Sequence, residues 1–221
     1  MRASIADIAP RLGIKENKQQ GIQNYDIDNC YPQRIRNAVK SSGRTMQCTN
    51  ILERFIRGNG FAIPFYKTVV NNAGLTVDKF LRKVVRDYVL YKGFAVHVNY
   101  NMLGEIVSMT PMPFEESRLG IENEKGSIEL IKHHPDWARE SSKQFKKELI
   151  IEFNVYNPDK EIVLQEADLA GGFSNYKGQV FWYSPYGMKY PEAFCDPVLE
   201  DVVSDDEAVQ ALQFILERLK F

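Results

Sequence analysis

Hydrophobic and polar positions in residues 31–57 alternate with the period of a helix. Tyr31-Pro32 predicts a helix start, because proline suits the first turn, and Ile35 and Val39 lie four residues apart on one face. Ser41-Ser42-Gly43 predicts its end. The segment that starts at Tyr31 is therefore predicted to be a short amphipathic helix.

A second helix is predicted from about Thr45 to Arg57. Its apolar residues form two pairs spaced four apart, which predicts a face that packs against the protein: Ile51, Leu52, Phe55 and Ile56. Gly58 and Gly60 permit the positive φ values that end a helix and turn the chain. We expect residues 61–65 to be extended.

A third helix is predicted over Val77–Tyr91, with Thr76 as its N-cap and Asp78 in its first turn. Strands follow at short intervals. Phe94–Tyr100 and Glu105–Met109 form a hairpin pattern, and Leu119–Ile121 pairs with Ser127–Ile131. Further strands are predicted in residues 148–156 and 179–183. The fold class is α+β, with helices packed on short antiparallel strands and hairpins.

The two ends of the chain have different patterns. Residues 1–23 are polar with weak periodicity, which predicts a mobile arm or one ordered by a partner. Residues 24–221 are predicted to form a single domain that continues in a longer protein. Within it, Ser204-Asp205-Asp206-Glu207 is a capping-box pattern that opens a helix. The apolar stripe of that helix is Ala208, Ala211, Leu212, Ile215, Leu216 and Leu219.

Composition suits a globular protein with a real core, since 44% of the 221 residues are hydrophobic. No apolar run approaches the roughly 20 residues of a membrane helix, and the N-terminus lacks the apolar core of a signal peptide. The three cysteines, Cys30, Cys48 and Cys195, are far apart. We expect reduced thiols and a protein that is not secreted.

The formal net charge of −1 conceals an uneven distribution. Residues 1–100 carry 16 Lys and Arg against 7 Asp and Glu, whereas residues 101–221 carry 12 against 22. Two readings stay open: two solvated surfaces of opposite sign, or complementary faces through which copies of the chain pack head to tail.

Motifs of common enzyme classes are missing from the sequence, which has no phosphate-binding loop, dinucleotide fingerprint or zinc-protease motif. One cluster could form a metal site, at His133, His134 and Asp136. Adjacent side chains of an extended segment point to opposite sides, however, so a surface turn before a Trp137 anchor is the simpler interpretation. We predict no catalytic residue, no metal and no cofactor.

Basic residues lie on two predicted helix faces, at Arg34 and Arg36 and at Arg82, Lys83 and Arg86. Such faces could contact nucleic acid. A solvated helix surface is the simpler interpretation. Overall acidity argues against tight, sequence-specific DNA binding, so a contact that lets DNA slide past is the form that we retain.

Several segments, in this order, resemble bacteriophage portal proteins, particularly those of Bacteroidetes phages and prophages. They are D-N-C-Y-P-Q at 28–33, I-L-E-R-F-I-R-G-N-G-F at 51–61, Y-K-G-F-A-V-H-V-N-Y-N-M-L-G-E-I at 91–106, P-M-P-F-E-E-S-R-L-G at 111–120 and F-W-Y-S-P-Y-G-M-K-Y-P at 181–191. The similarity covers roughly residues 24–221. Its structural motif residues are Asp28, Asn29, Tyr31, Pro32, Arg57, Gly58, Asn59, Gly60 and Phe61.

The resemblance implies a subunit of a twelve-membered ring at one capsid vertex, through which DNA is packaged and ejected. It implies capsid, terminase and tail-adaptor proteins as partners, with double-stranded DNA passing non-specifically. The protein would reside in the virion and, during assembly, in the host cytoplasm. Residues 24–221 would form mainly the wing-like part. The alternatives are a small metal-dependent hydrolase that uses His133, His134 and Asp136, and a nucleic-acid-binding adaptor.

Overall fold

The computed structural model describes residues 12–60 and 64–198. This part of the chain contains four α-helices and eight strands. The helices are α1 (Tyr31–Ser41), α2 (Gly43–Arg57), α3 (Val77–Tyr91) and α4 (Lys160–Leu169). The strands are β1 (Glu16–Asn17), β2 (Ile22–Gln23), β3 (Phe94–Tyr100), β4 (Ile106–Met112), β5 (Ser117–Leu119), β6 (Leu130–His133), β7 (Ile151–Val155) and β8 (Gln179–Tyr183).

Six strands form one mixed sheet in the order β4-β3-β8-β7-β6-β5. Its neighbours are antiparallel except for β7 and β8, which run parallel. At the β5 end, a bridge between Ile22 and Gly120 connects the sheet to the small β1–β2 hairpin. The α+β class and the hairpin of β3 and β4 agree with the sequence prediction.

The helices α1, α2 and α3 pack in layers at the β3–β4 end of the sheet. α3 contacts β3 and β4, and α2 contacts α1 and α3. The start of α3 agrees with the predicted cap, because the Thr76 hydroxyl accepts a hydrogen bond from the Lys79 N–H. α1 buries Ile35 and Val39, as their spacing predicts. No helix in the described ranges is long and apolar enough to cross a membrane.

Aromatic side chains dominate the core between the helices and the sheet. The rings of Phe114 and Trp182 stack with centroids 4.4 Å apart, and Tyr25 stacks on Tyr190 at 4.2 Å. Gly93 allows this packing, because a Cβ at that position would lie 2.6 Å from the Phe114 ring. The first residue of β3 therefore follows a position where only glycine fits.

The apolar face of α2 differs from the prediction. Ile51, Phe55 and Ile56 are exposed, and Leu52 is half-buried. Among the 15 residues of α2 only Thr49 is buried, because the helix lies outside α1 and α3 and turns its more polar side toward them. Hydrophobic spacing predicted correctly that these apolar residues share one face of α2. It could not indicate whether the surface that covers this face belongs to the same domain.

Three further segments differ from the sequence prediction. Residues 12–23, predicted to belong to an arm that is mobile or ordered by a partner, form the β1–β2 hairpin and bury Ile22 completely. Pro64–Lys67 is a 3-10 helix rather than an extended segment. Helix α4 was missed; the Asp159 carboxylate caps it by accepting from the Glu161 N–H. Residues 1–11, residues 61–63 and the predicted helix at 204–221 lie outside the described residues.

Candidate functional site

Asn29 is buried and adopts a positive φ of 58°. Its side-chain oxygen accepts from the Tyr25 N–H at 3.0 Å, and its amide nitrogen donates to a Glu140 carboxylate oxygen at 2.7 Å. Asparagine tolerates this left-handed conformation better than most residues, because its short side chain hydrogen-bonds locally. The backbone therefore turns sharply just before α1.

Arg118 of β5 is fully buried and holds this turn in place. Its Nε donates to the side-chain oxygen of Asn29, and an Nη donates to the Asn29 carbonyl oxygen at 2.8 Å. The other Nη donates to the carbonyl oxygens of Glu115 and Ser117, at 2.9 and 2.8 Å. Burial lowers the pKa of the Arg118 guanidinium from its ordinary value. Hydrogen bonds therefore replace the water that this cation has lost.

Aromatic rings enclose the same guanidinium. The Arg118 side chain lies 5.8 Å from the ring centre of Tyr25 and 5.7 Å from that of Trp137. Tyr25 in turn stacks between Tyr31, at 5.1 Å, and Tyr190. We call Tyr25, Asn29, Tyr31, Arg118, Glu140 and Tyr190 the Asn29–Arg118 cluster.

Two tyrosine hydroxyls connect the cluster to residues near position 190. Tyr190 donates to the Gln23 carbonyl oxygen at 2.6 Å and accepts from the Leu119 N–H at 2.8 Å. Tyr31 donates to an Asp196 carboxylate oxygen and accepts from the Ala193 N–H, both at 2.9 Å. The cluster thus ties three distant parts of the chain together.

Asp28 and Pro32 complete the start of α1. Asp28 accepts from the Cys30 N–H at 3.0 Å, and Arg34 bridges the carboxylates of Asp26 and Asp28. Pro32 is buried in the first helical turn. The sequence marked this approach, and in the structure Asp28 and Arg34 have partners within it.

The predicted glycine exit lies at the other end of α2, apart from the cluster. Gly58 caps the helix, with its N–H bonded to the Arg54 carbonyl oxygen at 2.9 Å and φ of 58°. Gly60 has φ of 80°, while Asn59 is exposed and Arg57 is half-buried. Phe61 lies outside the described residues. Both glycines occupy a region of φ that other residues rarely adopt.

The five predicted basic contact residues lie on two helices, Arg34 and Arg36 on α1 and Arg82, Lys83 and Arg86 on α3. Arg36 pairs with Glu115 at 2.6 Å beside α1, and Arg34 holds the aspartates described above. On α3, Arg86 donates to Glu53 of α2 at 2.9 Å, and Arg82 lies 3.5 Å from Asp78. Four of the five therefore have carboxylate partners. Arg82, Lys83 and Arg86 do share a shallow groove of about 430 Å³.

Asp87 lies on the wall of that groove. Burial of its carboxyl group raises the pKa of Asp87 to about 7, although the Phe114 N–H donates to it at 3.2 Å. The nearby Glu115 carboxylate adds to the increase. Asp87 is thus a titratable group near neutrality beside the basic residues of α3, and sequence reasoning did not single it out.

The histidine cluster does not form the metal site of the alternative hypothesis. Both ring nitrogens of His134 are engaged: Nδ1 accepts from the Asp136 N–H at 3.0 Å, and Nε2 lies 3.1 Å from the Lys146 carbonyl oxygen. His133 faces Glu116, 3.5 Å away, and burial lowers its pKa. Residues 12–60 and 64–198 contain no group of three His, Cys, Asp or Glu side chains that could hold a metal ion.

Trp137 is the buried anchor that the sequence predicted, with its indole N–H donating to the Glu116 carbonyl oxygen at 2.8 Å. Sequence reasoning missed Arg118 and Glu140. An arginine in a three-residue strand has the linear pattern of a surface residue, and its partner Asn29 lies 89 positions away. No spacing signal connects the two.

Comparisons with known proteins gave weak structural matches only. No family model matches the chain, and neither does any curated protein. One matching structure is a chain of a native gene transfer agent virion, with 9% identity, a TM-score of 0.38 and 66% of this chain covered. Another is a chain from the neck of an empty gene transfer agent particle, with 8% identity, a TM-score of 0.36 and 62% covered.

The chain spans less than half the length of each of these two chains, 44% and 41%. Such values assign neither a fold family nor a function to this chain.

Proposed function

We propose that this chain is a structural subunit of a phage portal ring, through which DNA is packaged into and ejected from the capsid. The observation that carries the proposal is the composition of the Asn29–Arg118 cluster. Asn29 and Tyr31 come from the D-N-C-Y-P-Q segment, Arg118 from the S-R-L-G segment and Tyr190 from the last segment of the resemblance.

Three of the segments that resemble portal proteins therefore meet in one buried unit. The residue types in these segments have a structural reason, because the buried Arg118 guanidinium needs the carbonyl and side-chain amide oxygens of Asn29 as hydrogen-bond acceptors. In this proposal the cluster fixes how the chain approaches α1, and thereby the orientation of the helical layer relative to the sheet. A subunit of a ring needs such rigidity because small angular errors accumulate around the closed assembly.

The finer parts of the proposal concern partners. The ring contains about twelve copies, packed head to tail through faces of opposite charge. It seats a terminase, contacts capsid and tail-adaptor proteins, and lets double-stranded DNA pass without sequence recognition. The protein resides in the virion and, before that, in the host cytoplasm. The ion-paired arginines of α3 support weak rather than tight DNA contact.

Labelling of purified particles tests this function. Gold-conjugated antibodies raised against residues 12–198 should mark one vertex of each capsid in electron micrographs. Labelling of the whole shell would instead indicate a coat protein. Absence of the protein from purified particles would overturn the portal proposal and favour the nucleic-acid-binding adaptor.

A further inference from the structure

The apolar face of α2 lies along a groove of about 280 Å³. Cys48 and Leu52 of α2 line this groove together with Val39 of α1. Phe55 follows three residues after Leu52 on the same side of the helix and is 82% exposed. We call Cys48, Ile51, Leu52 and Phe55 the α2 stripe. A contiguous apolar stripe at helical spacing is the pattern of a helix face that packs against another surface.

A second exposed apolar surface lies at the turn between β3 and β4. Met102 is 80% exposed and Leu103 is 63% exposed. Hydrogen bonds hold the turn, because the Asn101 side-chain oxygen accepts from the N–H groups of Leu103 and Glu105, both at 2.9 Å. An ordered backbone therefore presents two adjacent apolar side chains to the outside.

The α2 stripe and the β3–β4 turn belong to different parts of the fold. α2 contacts α1 and α3. The turn packs on α4 instead, since a Cβ added at Gly104 would lie 2.9 Å from the Lys160 Cγ atom. A contact between two different surfaces joins one copy of the chain to the next and leaves one surface free at each end. Such a contact closes into a ring when its rotation permits.

The charges beside the two surfaces are opposite. Arg54 and Arg57 flank Phe55, and the described part of the chain gives neither guanidinium a carboxylate partner. At the turn, the Glu105 side chain is 59% exposed, although the Lys160 ammonium lies 4.0 Å from its carboxylate. The neighbouring α4 and its cap carry further exposed carboxylates, at Asp159, Glu161 and Asp168. A basic stripe and an acidic turn are complementary across an interface.

We infer that the β3–β4 turn of one copy packs into the groove along the α2 stripe of a second copy. The inference rests on the head-to-tail packing of the proposed function and names the surfaces that form it. A second copy is the occupant because a single chain carries both complementary surfaces. Met102 suits the groove, since an unbranched thioether side chain adapts to irregular apolar surfaces. Burial of Phe55 and Met102 stabilises the contact, and the flanking charges orient it.

Mixing two variants of the 221-residue chain tests the pairing. Phe55→Asp blocks the groove and Met102→Asp blocks the turn. Each variant alone should associate at least about tenfold more weakly than the unmodified chain in analytical ultracentrifugation. An equimolar mixture should form dimers and nothing larger, because each variant retains the surface that the other lacks. Tyr186→Asp, at an 89% exposed aromatic residue beyond β8, is the matched control and should associate like the unmodified chain.

Crosslinking tests the contact in the assembled protein. Met102→Cys is introduced into a chain that keeps Cys48 and carries Cys30→Ser and Cys195→Ser, and a short bismaleimide is added. A ladder of chains joined through positions 48 and 102 is expected. The same chain with Tyr186→Cys in place of Met102→Cys is the control and should give no ladder.

Three results would overturn the inference. They are an unmodified chain that stays monomeric at every concentration, a mixture that associates no better than either variant alone, and crosslinks that form only within one chain. If the complete gene product forms rings in which positions 48 and 102 do not crosslink, the inference fails while the portal function stands. If neither the rings nor the crosslink form, both fail.

Discussion

The guanidinium of Arg118 hydrogen-bonds both the side-chain oxygen and the carbonyl oxygen of Asn29, and both residues are almost completely inaccessible to solvent. One charged group thereby holds the backbone turn that precedes α1. The contact joins the helical layer to β5 at the far edge of the sheet. It explains why a polar residue, Asn29, lies inside the protein just before α1.

Replacing Arg118 should be severely destabilising. Arg118→Met removes four buried hydrogen bonds, two to the Asn29 oxygens and one each to the Glu115 and Ser117 carbonyl oxygens, so the free energy of unfolding should fall by at least about 3 kcal/mol. Arg118→Lys should restore little, because one ammonium cannot reach all of these acceptors. Urea unfolding measures both. Arg139→Met is the control: its side chain is 64% exposed, and the change should stay below about 1 kcal/mol.

The strained turn at Asn29 gives a separate prediction. Asn29→Ala and Asn29→Gly both remove the side-chain hydrogen bonds, but only glycine adopts a φ of 58° without cost. Asn29→Ala should therefore unfold with a free energy about 1 kcal/mol lower than Asn29→Gly. Equal stabilities of the two variants would show that the backbone does not take this conformation.

Asp87 predicts a pH dependence of stability. Its pKa in the folded protein, about 7, is above the ordinary value of 3.8, so the folded state binds more protons between these values. The free energy of unfolding should therefore decrease as pH rises from about 4 through 7, by at most about 1.4 kcal/mol per pH unit.

Asp87→Asn keeps an oxygen that can accept from the Phe114 N–H but removes the titration. The variant should show a smaller slope between pH 5 and 7 and should exceed the unmodified protein in stability at pH 8. Urea unfolding at four pH values measures this. Asp168→Asn, a change at an exposed carboxylate of α4, is the control and should preserve the slope.

Alanine substitutions at Arg86 and Lys83 should distinguish a residue that stabilises the fold from one that contacts DNA. Arg86→Ala breaks the hydrogen bonds that connect α3 to Asn50 and Glu53 of α2, so it should lower stability by about 1 kcal/mol. Lys83→Ala, at an exposed position, should leave stability within about 0.5 kcal/mol. In filter-binding measurements, Lys83→Ala should reduce the slope of log binding constant against log salt concentration for weak DNA binding. The reduction should correspond to about one phosphate contact or less.

Local patterns predicted those elements whose apolar residues face the core. The bounds of α3 and β8 agree with the sequence prediction, because Val77, Val85 and Val89 have helical spacing and the β8 segment is rich in β-branched and aromatic residues. Local patterns failed where the deciding contact is distant. Arg118 resembles a surface residue in sequence, and Ile51 and Phe55 have core spacing but lie on the surface.

Residues 12–23 also show that local sequence patterns fail where the deciding contact is distant. Residues 12–23 are polar along the chain, yet Leu12, Ile22 and Gln23 are buried, because Tyr190 and the end of β5 lie against them. Of the candidate surfaces, the sequence marked the start of α1 and the glycine exit of α2. It did not mark Glu140 or Asp87, whose settings depend on residues far away in the chain.

Assembly state tests the central claim most directly. Negative-stain electron microscopy and native mass spectrometry of the complete gene product should show closed rings of about twelve copies around an open channel. If complementary charges hold the subunits together, purification at low salt should favour rings and purification at high salt should favour monomers. A complete gene product that stays monomeric at both salt concentrations would contradict the portal account.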